Sequence, residues 1–120
     1  MPKHHSRMPN QEFGIENFND MVYTSQALLN AFVSHGFSSK ETSVFDLFTA
    51  SSELARTLDD DSRATVAREM AKIILAVLAH GLFWHIRGPE LMAIFEDELN
   101  KGWGRLQMSI DQRKKEAESI

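Results

Sequence analysis

Four stretches of the chain carry apolar residues at the three-to-four-residue spacing of an amphipathic helix, and no stretch alternates apolar and polar residues as a half-buried strand would. The first contains Phe18, Met21, Val22, Leu28, Leu29, Phe32 and Val33 and predicts a helix over 16–35. Gly36 is a suitable stop, because glycine takes the left-handed conformation that ends many helices. Ser38 and Glu41 have the spacing of a capping box and introduce a second helix over 42–58. Val44, Phe45, Leu47, Phe48, Leu54 and Leu58 form its stripe. Asp59, Asp60 and Asp61 break that stripe and offer an N-cap to a third helix over 62–86. Gly88 and Pro89 end it and start the fourth, over 89–113, with Leu91, Met92, Phe95, Leu99, Trp103, Leu106 and Ile110 on one side. The charged last turns of that helix are expected to fray.

The third helix differs in kind. Ile73 to Ala79 is apolar on every face, and a helix of that sort must be covered all round. Three other helices cannot easily surround it, so a second subunit is the expected cover. Ile73, Ile74, Val77 and Leu78 are the residues assigned to that interface. The expectation is therefore an all-α, four-helix bundle-like domain over 15–120, completed by dimerisation. Residues 1–14 are polar, contain Pro2, Pro9 and Gly14, and read as a flexible tail in which His4 and His5 are solvated.

Length and composition narrow the function classes. At 120 residues, with 42% hydrophobic and 25% charged residues, the chain is one globular domain rather than a disordered segment. A net charge of −4 argues against a DNA or RNA partner, and the basic run Arg113, Lys114, Lys115 is answered at once by Glu116 and Glu118. The absence of cysteine excludes disulfides, thiolate metal sites and cysteine nucleophiles, and is compatible with the cytoplasm, the expected location. The N-terminus lacks the apolar stretch of a secretory signal, and Ile73–Ala79 is far shorter than the ~20 apolar residues that cross a bilayer, so no membrane partner is expected. His80 and His85 stand five apart, which does not place two ligands on one helical face, and no glycine-rich phosphate loop occurs. Phe83, Trp84, Phe95 and Trp103 have the spacing of core or subunit-contact aromatics.

The chemistry-bearing residues cluster in the second and third helices. Ala50 and Glu53 share one face of the second, Glu69 and Lys72 one face of the third, and an antiparallel pairing through the acidic turn would bring the faces together. The stretches Ser52-Glu53-Leu54-Ala55, Arg68 to Ala79, and Glu98-Leu99-Asn100-Lys101-Gly102-Trp103-Gly104-Arg105 carry a family likeness. Residues 45–106 resemble the MazG-type all-α nucleoside triphosphate pyrophosphohydrolases. Those enzymes hold magnesium with ExxE on one helix and ExxD on the next, and close with a KLxKNxxR helix. The resemblance implies Glu53 and Glu69 as vestigial metal carboxylates and Lys72, Lys101 and Arg105 as ligand-binding residues.

The departures from that pattern are specific. Ala50 stands where the first Glu belongs, Lys72 where the Asp belongs, Glu98 where a Lys is expected, and Gly102 where an Asn is expected. The formal charge of the quartet changes from −4 to −1, and the Lys72 ammonium would occupy the space of a cation that wants hard oxygen ligands. Three readings follow. The first is a diverged relative without the magnesium site, binding a nucleotide, another small molecule or protein partners as a homo-oligomer and needing no cofactor. The second is a hydrolase with a rearranged magnesium site, using Glu53, Glu69 and an acid such as Asp46 or one of Asp59–Asp61. The third is an unrelated helical-bundle interaction protein, in which Glu53 and Glu69 are surface charges paired with Arg56, Arg68 or Lys72.

Overall fold

The computed structural model describes residues 15–59 and 62–119, and among these every regular element is helical. In chain order they are α1 (Phe18–Ser34), α2 (Lys40–Ala55), α3 (Arg63–His80), a 3₁₀ turn (Gly81–Trp84) and α4 (Gly88–Glu118). The all-α fold class expected from the periodicity is what the described residues adopt, with α1, α2 and α3 of the first unit packed together. The chain falls into two compact units, one ending at Gly88 and one running from Pro89. The expected tail over 1–14 and the capping residues Asp60 and Asp61 lie outside the described residues.

The starts of α1, α2 and α3 are each set by a short polar side chain that satisfies an otherwise unpaired amide. The Asn17 Oδ1 accepts from the Asp20 N–H at 2.9 Å. For α2 the cap is Ser39, whose Oγ accepts from the Thr42 N–H at 3.2 Å, one residue later than the Ser38–Glu41 box. For α3 it is Ser62, whose Oγ accepts from the Thr65 N–H at 3.2 Å, rather than the acidic turn. The stop after α1 is as expected. Gly36 adopts φ 77°, the Phe37 N–H donates to the Phe32 carbonyl at 2.8 Å and the Gly36 N–H to the Val33 carbonyl at 3.0 Å, the paired bonds of a Schellman motif.

α3 packs against both α1 and α2. Its pairing with α2 is antiparallel, since Ser43 meets His80 while Glu53 meets Lys72. Val22 and Leu29 of α1, Ala50 of α2, and Leu78 and Ala79 of α3 form the buried apolar core. This corrects one interface assignment: Leu78 is covered by its own chain and offers no surface to a second subunit. Ile73 is half-buried, while Ile74 and Val77 remain exposed.

α3 ends at His80, six residues before the predicted limit, and the reason is tertiary. Gln26 of α1, only 3% exposed, donates from Nε2 to the carbonyls of Leu78 (3.3 Å) and Ile86 (2.7 Å), and its Oε1 accepts from the Arg87 Nη1 at 2.7 Å. One amide thereby ties α1 to the end of α3 and to the turn that follows. Gly81 makes room for it: a Cβ there would stand 2.9 Å from the Gln26 Nε2 and 3.3 Å from the Ile86 carbonyl oxygen.

The second unit is α4. At 1.5 Å per residue its 31 residues extend about 46 Å. It runs to Glu118, past the predicted 113, because its last turns are braced by side chains one turn apart rather than fraying. The Gln107 Nε2 donates to the Asp111 Oδ1 at 3.0 Å, and the Gln112 Nε2 to the Glu116 Oε2 at 3.3 Å. No helix among the described residues is long and apolar enough to cross a membrane.

Candidate functional site

Between α1, α2 and α3 lies an open cavity of about 420 Å³. Its apolar walls are Leu28, Leu29 and Phe32 of α1, Phe37 of the turn, and Leu75, Ala76 and Ala79 of α3. α2 supplies the polar side. Thr42, Asp46, Thr49 and Glu53 recur at three or four residues and so face the cavity together, with Ser43 and Ala50 on the same face. Ser25 of α1, Ser38 and Lys72 complete the lining. Ser25 is buried, and the Ser38 Oγ is buried without a hydrogen-bond partner, so the wall holds one hydroxyl not satisfied by the fold itself.

Two of the residues picked out by the resemblance, Glu53 and Lys72, line this cavity. Lys72 Nζ is 3.2 Å from the Glu69 Oε2 and 3.8 Å from the Glu53 Oε1, so one ammonium holds two carboxylates brought together from neighbouring helices. The other Glu69 oxygen, Oε1, is buried and has no partner. Ala50, where the family pattern has its first Glu, is buried at the cavity wall, and a carboxylate in its place would carry charge into packed surroundings. Asp46 lines the same cavity as Glu53. Among the described residues no group of three or more His, Asp or Glu side chains is arranged to hold a metal ion. Of the charged side chains lining the cavity, Asp46 and Glu53 are negative and Lys72 is positive, so the lining is negative on balance.

Lys101 and Arg105 belong to the second unit. Lys101 Nζ lies 3.1 Å from the Asp97 Oδ2 and 3.4 Å from the Glu98 Oε2. The hydrogen bond to Asp97, with help from the charge of Glu98, raises its pKa above the ordinary lysine value of 10.5. Arg105 lines an open hollow of about 450 Å³ on α4, together with Phe95, Glu98, Leu99, Gly102, Trp103 and Leu106.

Sequence reasoning missed a polar chain beside the cavity. The Trp84 Nε1–H donates to the His80 Nε2 at 3.1 Å, so Nε2 acts as an acceptor and Nδ1 carries the proton of the neutral ring. That proton is directed at the Ser43 Oγ, 3.0 Å away. The Lys40 ammonium lies 4.2 Å above the Trp84 ring, a cation–π contact. His80 is thus a packing and orienting residue. Its partners are 37 residues upstream and one turn downstream, and only the second of these was open to a local pattern. The buried Gln26 carried a better signal, being a polar residue in register with Val22 and Leu29 on the core face of α1.

No family model, curated protein or solved structure matches the chain.

Proposed function

We propose that the chain is a binding and assembly module: a diverged relative of the MazG-type pyrophosphohydrolases that does not run magnesium-dependent nucleotide hydrolysis. The observation that carries this reading is the position of Lys72, whose ammonium lies between Glu53 and Glu69 where a divalent cation would have to enter. A +2 ion there meets a like charge instead of a fourth carboxylate, and a water beside it loses the positive neighbour that would make it a nucleophile. The cavity remains as the ligand site, with a volume in the range of small-molecule pockets. Its lining, negative on balance, opposes a triphosphate and favours a small ligand with an apolar body and a positive group, set between Phe32, Phe37 and Leu75 with its charge at Asp46. Self-association, through the exposed Ile74 and Val77 with Ile73 beside them, completes the assembly role, and the cytoplasm is the expected setting.

Two measurements test this. Calorimetric titration with magnesium and manganese is expected to give no micromolar binding, and a pyrophosphate-release assay over a nucleotide panel no turnover. Binding together with turnover that Glu53→Gln abolishes would replace this reading by the rearranged hydrolase. In a thermal-shift screen, small cationic amphiphiles are expected to stabilise the protein more than nucleotides do, with the gain lost in Asp46→Asn. Stabilisation by nucleotides alone would refute the ligand class.

A further inference from the structure

We infer that α4 pairs side by side and antiparallel with α4 of a second copy of this chain. The inference rests on the proposed self-association and adds to the α3 surface a second contact, on α4, with its orientation and register. Met92, Phe95, Leu99, Trp103, Leu106 and Ile110 are all exposed. The 18 residues from Met92 to Ile110 make five turns at 3.6 residues per turn, so this apolar line stays on one side of a straight helix. It is also self-complementary. Reversed about Lys101, Met92 falls on Ile110, Leu99 on Trp103, and Phe95 within one residue of Leu106.

The charges select the orientation. From Gly88 to Glu98 the helix carries Glu90, Glu96, Asp97 and Glu98 and no base. From Lys101 to Lys115 it carries Lys101, Arg105, Arg113, Lys114 and Lys115 against Asp111 alone. A parallel pair sets acid beside acid along one half and base beside base along the other. An antiparallel pair sets each acidic half against a basic one. The polarity also suits the helix dipole, but the dipole does not require an apolar line between the two charged ends. In this register Glu98 lies beside Arg105 of the partner subunit, and the two-fold axis repeats the pair. The hollow of about 450 Å³ around Gly102, walled by Leu99, Trp103 and Leu106, sits near the centre of the line where a facing side chain would enter.

Because the chain has no cysteine, introduced thiols report without background. Met92→Cys and Ile110→Cys are prepared in the full chain and treated, singly and mixed, with a short bis-maleimide. The mixture is expected to give a covalent dimer and neither variant alone, since like positions in an antiparallel pair lie about 27 Å apart. Self-linkage of Met92→Cys would mean a parallel pair and overturn the inference. No linkage in any sample while sedimentation shows a dimer would overturn it and leave self-association standing; a folded monomer would overturn both. Glu98→Arg and Arg105→Glu are each expected to raise the dimer dissociation constant roughly two- to tenfold, given ordinary exposed ion pairs occurring twice. The double variant should restore it, and a double variant no tighter than the singles would refute the register.

Discussion

Replacing Gln26 by leucine keeps the side chain near its original volume and removes all three of its hydrogen bonds. The carbonyls of Leu78 and Ile86 lose their donor, and the Arg87 Nη1 loses its acceptor. A buried carbonyl left unpaired costs about 1–3 kcal/mol, and the leucine recovers part of this through its own burial, so the net loss is about 2–4 kcal/mol. That is a large share of the roughly 5–15 kcal/mol that holds a domain together. With a urea dependence of about 1–3 kcal/mol per molar, the unfolding midpoint is expected to fall by roughly 1 M or more. Gln26→Glu sharpens the test. It keeps shape and the Arg87 contact but turns a carboxylate oxygen toward two carbonyl oxygens, so it should also destabilise. A leucine variant within about 0.5 kcal/mol of the parent, or a fully stable glutamate variant, would refute the claim that the Nε2 donor fixes the end of α3.

Lys72→Met is expected to cost about 1 kcal/mol by urea unfolding at neutral pH, between the values for exposed and buried pairs, because Lys72 is half-exposed while Glu69 is largely covered. It should also create measurable manganese binding by calorimetry, since two facing carboxylates lose the ammonium between them. Gly88→Ala is expected to cost about 1–3 kcal/mol by thermal unfolding, because a Cβ there would collide with the Asn19 side chain and stand 3.0 Å from the Asn19 Cα. The raised pKa of Lys101 means that its favourable contacts are fully present below pH 10.5 and lost as pH rises through the raised value. An alkaline titration of helicity should therefore show, in the parent, a loss above pH 10.5 that Lys101→Met lacks.

The apolar periodicity was sufficient for helix number and type, because Val22, Leu29 and Leu78 repeat at helical spacing and are buried on that account. The helix ends were less legible. In Ser38-Ser39 either serine can cap, and only the reach to the Thr42 amide decides for Ser39. The limit of α3 depends on Gln26, more than fifty residues away from the carbonyl it holds, and no local pattern contains that contact. At the candidate site the meeting of Lys72 with Glu53 and Glu69 was readable from spacing alone. The cavity was not, since it depends on where Phe32 and Phe37 sit relative to α2. The fully apolar run of α3 was overread at Leu78, where packing within the chain already covers what sequence assigned to a partner.

The Schellman turn at Gly36 has a consequence for how this cavity can change over generations. Phe32 and Phe37, which carry its 2.8 Å hydrogen bond through their backbones, also form part of the cavity wall. That bond uses backbone atoms that any residue but proline supplies, so the side chains at 32 and 37 can be exchanged without undoing the turn, whereas Gly36 holds a φ of 77° that favours glycine. On the opposite wall Thr42, Asp46 and Thr49 are exposed positions in the body of α2, and they can be exchanged at little structural cost. Drift in ligand preference is therefore open to side chains on both walls, while the path of the chain between them is held by Gly36.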